Sequence, residues 1–124
     1  MKTLLWLDDY RDPMEGQWLV FSPITLEDIE VHWVKSYNEF INWIKINGLP
    51  TAICFDHDLD PNQGIDELEI LDEKTGFDAA KWLVDYCINN DKELPLYNIQ
   101  SANPVGKENI DKLLKNYLKY YPRG

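Results

Sequence analysis

Thr3-Leu4-Leu5-Trp6-Leu7-Asp8-Asp9 is an apolar run stopped dead by two acids, and Ala52-Ile53-Cys54-Phe55-Asp56-His57-Asp58 repeats the pattern. Continuous hydrophobicity over four or five residues, without alternation, marks a strand covered on both faces, as in parallel sheets. Residues 31–34 and 96–99 read the same way. Helical patterns follow the later strands. Ser36-Tyr37-Asn38-Glu39 opens as a capping box, followed by a stripe of Tyr37, Phe40, Ile41 and Ile44. Thr75-Gly76-Phe77-Asp78 is a second such start, ahead of Ala80, Leu83, Val84, Cys87 and Ile88. Asn103-Pro104 supplies an N-cap with proline at the first helical position, ahead of Ile110, Leu113, Leu114, Tyr117, Leu118 and Tyr121.

Strands alternating with helices predict an α/β domain with a parallel sheet and right-handed crossovers. A chain of 124 residues has room for one core, so residues 1–124 are expected to form a single domain. Two linkers interrupt the rhythm. Residues 10–30, with Pro13, Gly16 and Pro23, stand where a first crossover helix belongs. Residues 56–74 form a long loop carrying eight acids, and loops of that length are usually functional or disordered.

The charge balance excludes some partners. Twelve basic against 22 acidic side chains give a net charge of −10, which repels phosphates over most of the surface. A general binder of long nucleic acid or of an acidic membrane is therefore not expected. The charge is uneven: residues 1–104 carry 7 basic and 20 acidic side chains, residues 105–124 carry 5 and 2. A 44% hydrophobic share with 13% aromatics argues against disorder. The apolar run at residues 4–7 is too short for a signal-peptide core or a membrane span, so a cytoplasmic location is expected. Cys54 and Cys87 lie inside apolar runs and read as buried free thiols of a reducing compartment, a disulfide being the alternative.

Ligands of open parallel sheets bind at the carboxyl ends of the strands. The residues just beyond three of the four strands are Asp8-Asp9, Asp56-His57-Asp58 and Ser101-Ala102-Asn103. Gathered at one rim, the carboxylates repel one another unless a cation neutralises them, and a hard divalent ion such as Mg²⁺ does so with oxygen ligands. Asp8, Asp9 and Asp56 are the candidate metal ligands; the alternative makes Asp8 and Asp9 solvated turn or cap residues. Ser101-Ala102-Asn103-Pro104-Val105-Gly106-Lys107 aims free backbone N–H groups of a helix N-terminus at the same rim, which suits a phosphate. Ser101 and Asn103 could donate to it, although capping alone accounts for Asn103. Lys107 stands in the first helical turn, where the macrodipole disfavours a cation unless an anion is bound; a solvated lysine balanced by Glu108 is the plainer reading. His57, between two acids, could exchange protons near neutral pH, with Asp58 assisting. Arg11 could reach a phosphate from the first loop. His32, inside a strand, reads as structural or solvated.

Three other patterns carry less. Asp56 to Glu67 mimics a calcium loop, but Pro61 stands where the sharp turn needs glycine and the segment follows a strand. Asp-x-Asp after a strand resembles haloacid-dehalogenase phosphatases, which place it on the first strand. Five tryptophans and seven tyrosines could stack on bases, but most fall in the apolar stripes and read as core.

An acid pair after strand one, Asp after strand three and Ser after strand four is similar to response-regulator receiver domains, whose acids hold Mg²⁺ and whose third-strand Asp accepts a phosphoryl group. Asp8, Asp9, Asp56 and Ser101 match those positions. The receiver lysine after a fifth strand has no counterpart, which argues against ordinary phosphorelay signalling. A closer resemblance spans nearly the whole chain. Trp6-Leu7-Asp8-Asp9-Tyr10-Arg11-Asp12-Pro13, Phe55-Asp56-His57-Asp58-Leu59, Thr75-Gly76-Phe77-Asp78 and Ser101 through Ile110 resemble the cyclic-phosphate-processing receiver family of bacteria and phages. Where that family often has histidine before Ser-x-Asn-Pro, this chain has Gln100.

The resemblance implies a flavodoxin- or receiver-like parallel sheet of about four strands, order 2-1-3-4, flanked by helices. The last helix, with no later strand to reach, is expected to fill the space of the missing first helix, over residues 10–30. The implied function is a metal-dependent phosphoesterase for a cyclic phosphate: a 2′,3′-cyclic nucleotide, an RNA end or a cyclic nucleotide. Asp8, Asp9 and Asp56 would hold Mg²⁺, His57 and Asp58 would move protons, and Ser101, Asn103, Lys107 and Arg11 would bind phosphate. The alternatives are a non-catalytic receiver-like module that binds a nucleotide or a protein partner, and a sponge for a cyclic-nucleotide signal.

Overall fold

The computed structural model describes residues 2–15, 17–59 and 74–122. Four strands, β1 (Lys2–Leu7), β2 (Ile29–Val34), β3 (Ala52–Phe55) and β4 (Leu96–Ile99), form one parallel sheet in the order β2-β1-β3-β4. The helices are α1 (Tyr37–Asn47), α2 (Gly76–Asn90) and α3 (Pro104–Tyr120). This is the expected receiver-like α/β architecture. The calcium-loop pattern falls largely on residues 60–73, outside the described residues.

The three helices start where their caps predict. Ser36 Oγ accepts from Glu39 N–H, Thr75 and Asp78 form a reciprocal capping box, and Asn103 Oδ1 accepts from Gly106 N–H. On one sheet face Leu5, Leu7, Ile53 and Phe55 pack with Phe40 and Ile44 of α1, Leu83 of α2, and Ile110 and Leu114 of α3. On the other face Leu4, Trp6, Ala52 and Cys54 are covered by Trp18, Leu19, Phe21 and Ile24. Trp18–Phe21 is a single 3-10 turn, so the link from β1 to β2 shields this face without an α-helix. Cys54 and Cys87 are free and buried in opposite layers.

One expectation about the layers is corrected. The last helix does not lie over residues 10–30. It packs beside α2, with Ile110, Leu114 and Tyr117 in the core that α1 and α2 also bury. The hand of the chain explains this: β2-α1-β3 and β3-α2-β4 step the same way across the sheet, and α3 leaves β4 with the same turn. The aromatic residues follow the core reading in the interior, where Trp6, Phe40 and Phe55 are fully buried, but Tyr10, Tyr120 and Tyr121 are exposed. His32 pairs with Glu30 at 3.1 Å and packs on Trp43.

The strand order reverses between β1 and β3, which makes a crevice at their carboxyl ends. Pairing runs one residue past each strand: Asp8 N–H donates to Val34 O, Asp56 N–H to Leu7 O and Gln100 N–H to Phe55 O. Asp8, Asp56 and Gln100 thus stand side by side as the first residues beyond three neighbouring strands.

Candidate functional site

Asp8 is fully buried, Asp56 is 5% exposed, and Asp9 is half-buried beside them. Each of the three offers a carboxylate oxygen within 4.8 Å of the other two. Asp8 is fixed by an Asx turn: its Oδ1 accepts from the backbone N–H of Tyr10 and of Arg11. That turn brings the Arg11 guanidinium back over the pair, with Nη1 3.2 Å from Asp8 Oδ2 and 3.8 Å from Asp56 Oδ1. The guanidinium also stacks on Trp18, 5.0 Å from the ring centroid. Two indoles hold the loop, Trp6 Nε1 donating to Arg11 O and Trp33 Nε1 to Asp8 O.

Burial pushes the Asp56 carboxyl up to about 7, and the charges of Asp8 and Asp9 add to the rise while Arg11 opposes it. Gln100 is buried, with Nε2 donating to Leu7 O at 3.1 Å and lying 3.5 Å from Asp8 Oδ2. These acceptors fix the orientation of the amide, and its Oε1 is then a buried oxygen with no hydrogen-bond partner among the described residues. Convergent hard oxygens and an unsatisfied acceptor nearby fit a divalent cation. Asp8, Asp9 and Asp56 could hold one.

A second constellation surrounds His57. Its Nδ1 donates to Asp58 Oδ1 at 2.8 Å, and the same carboxylate oxygen accepts from Asn103 Nδ2 at 3.2 Å. The bond from His57, with help from that of Asn103, holds the Asp58 carboxyl below the usual carboxylate range. The imidazole lies against Gly106 in the first turn of α3, where a Cβ would come within 2.6 Å of Cδ2. Gly76 N–H donates to His57 O and ties α2 to the same strand end.

Several candidates from the sequence therefore converge: Asp8, Asp9, Asp56 and Arg11 in one cluster, His57, Asp58 and Asn103 in the other. Ser101 Oγ accepts from Asn103 N–H at the turn into α3. Lys107 is exposed and lines a groove of about 560 Å³ beside β4, with Tyr97, Asn98 and Asp111 among its neighbours. The sequence reading missed the seat that Gly106 provides and the hold of Trp33 on Asp8. A glycine one turn inside a capped helix was the available signal for the first; Trp33 gave none.

The model of the cyclic-phosphate processing receiver domain matches residues 3–116. The chain belongs to that family. Searches of curated proteins and of solved structures each gave no match. The receiver domain's matched span includes both clusters, from Asp8 through Asn103. Among its described residues no helix is long and apolar enough to cross a membrane.

Proposed function

We propose that this receiver domain is a metal-dependent phosphoesterase that opens a cyclic phosphate on a nucleotide or an RNA end, with Mg²⁺ held by Asp8, Asp9 and Asp56. The convergence of the three carboxylates at the switch point of the sheet carries the reading. A bound divalent cation supplies Lewis-acid polarisation of a phosphoryl oxygen and makes water a better nucleophile. Asp58 takes the Nδ1 proton of His57 in a hydrogen bond, which orients the ring and leaves Nε2 to accept or return a proton. Asn103 holds Asp58 in place. Ser101, Asn103, Lys107 and Arg11 are the groups offered to the phosphate, and the net charge of −10 suits a small phosphorylated ligand rather than a long nucleic acid.

A non-catalytic module that binds a nucleotide or a protein partner is the second reading. Gln100 favours it: the family often has histidine there, and a buried amide moves no proton. Mg²⁺-dependent opening of a 2′,3′-cyclic nucleotide, lost in Asp56→Asn, supports the enzyme. Tight binding without turnover across a panel of cyclic mono- and dinucleotides supports the module and overturns the enzyme.

A further inference from the structure

We propose that Arg11 is the internal counter-cation of the carboxylate cluster, that a divalent ion displaces it, and that the released guanidinium becomes the ligand's phosphate clamp. The inference rests on the cation site proposed above and adds a coupling between the cation and the phosphate.

The geometry defines the competition. Arg11 Nη1 lies within 4 Å of Asp8 and of Asp56, two of the three carboxylates whose oxygens converge within 4.8 Å. A divalent ion bound to those oxygens would meet a guanidinium already placed on the same two groups, and like charges in a buried crevice repel strongly. One of the two cations has to leave.

Arg11 is built to be the one that moves. Its backbone is held independently of its side chain, by N–H donation to Asp8 Oδ1 and by the Trp6 indole on its carbonyl. The side chain is 21% exposed and rests on the Trp18 ring, so it reaches solvent without unfolding the loop. A freed guanidinium on this tether stays at the rim, where its planar fork suits a phosphate. The cation then raises affinity for phosphate, and by linkage phosphate raises affinity for the cation.

The test is calorimetric titration of the full chain with Mn²⁺ and with Mg²⁺, then with inorganic phosphate in the presence and absence of metal. Arg11→Ala removes the competitor, so it is expected to bind metal about tenfold more tightly than wild type and to lose the metal-dependent gain in phosphate affinity. Arg11→Lys keeps the charge and should bind metal within a few-fold of wild type. Arg11→Gln removes the charge while keeping most of the side chain, carries the same expectation as Arg11→Ala, and replaces it if the alanine variant folds poorly. Equal or weaker metal binding by Arg11→Ala overturns the inference while leaving the cation site standing. Absence of metal binding by wild type and by the variants overturns the cation site, and the inference with it.

Discussion

Gly106 is the surface on which His57 rests: a Cβ there would overlap the imidazole, 2.7 Å from Nδ1, the atom that bonds Asp58. Gly106→Ala keeps the helix and the bond from Gly106 N–H to Asn103, so its effect falls on the ring. Overpacking of this kind costs about 1–3 kcal/mol. The expected result is a ring pushed off its seat and an Asp58 carboxyl whose pKa rises toward the ordinary carboxylate value, because His57 is its largest stabiliser. Carboxyl titration by NMR together with chemical denaturation checks both, and an unchanged Asp58 titration contradicts the account.

Asp56 makes a pH prediction with a definite sign. Its folded pKa, about 7, lies above its ordinary value of 3.8, so the folded state holds this proton more tightly than the unfolded state. Stability from this group is full below about pH 4 and is lost as pH rises through about 7. In metal-free protein, Asp56→Asn should match wild type near pH 4 and be more stable at pH 8, by about 2–4 kcal/mol. Adding a divalent cation should close the gap by favouring ionised Asp56. Urea denaturation across pH, with chelator or with Mg²⁺, measures it; a gap independent of pH excludes burial of the charge as the cause.

Much of this site was legible because parallel strands end in step. Once Leu7, Phe55 and Ile99 are read as strand ends, Asp8, Asp56 and Gln100 fall side by side, and the register places them so. The caps at Ser36, Thr75 and Asn103 were legible because a cap acts over three residues of local sequence. What the sequence did not disclose joins distant segments. Gly106 meets His57 across 49 positions, and Trp33 meets Asp8 across 25. Local pattern carries no trace of the Trp33 contact, and a glycine inside a capped helix marks a close approach at Gly106 without naming its partner. The face chosen by α3 was misjudged for a different reason: a helix without a following strand still leaves its own strand with the hand of its neighbours.

Gly76 tests whether α2 positions the cluster. A Cβ there would collide with the Asp56 carbonyl oxygen, backbone against backbone, and no rotamer relieves that. Gly76→Ala should cost about 3 kcal/mol or more and weaken cation binding, because Asp56 must shift. Thr75→Ala, one residue away, removes only the cap and should cost about 1 kcal/mol with cation binding kept. Thermal melts and calorimetry on the pair separate helix stability from carboxylate placement. Equal effects on cation binding contradict the positioning role.

Gln100 links the interior to the cluster through Leu7 O and Asp8, and its Oε1 has no partner among the described residues. Gln100→Met retains the length and removes one of the two donors to Leu7 O, which keeps its bond from Asp56 N–H; the expected loss is that of one hydrogen bond, about 1 kcal/mol, with or without metal. Gln100→Glu adds a fourth carboxylate beside Asp8 and Asp56, so its metal-free form should be less stable than Gln100→Met at pH 8. A divalent cation neutralises part of that charge, and Mg²⁺ should therefore raise the melting temperature of Gln100→Glu more than that of Gln100→Met or of wild type. Melting curves at pH 8, with chelator and with Mg²⁺, measure the three responses. An equal Mg²⁺ response in the two variants places Gln100 outside the cation's reach and leaves it the structural role of tying β4 to β1.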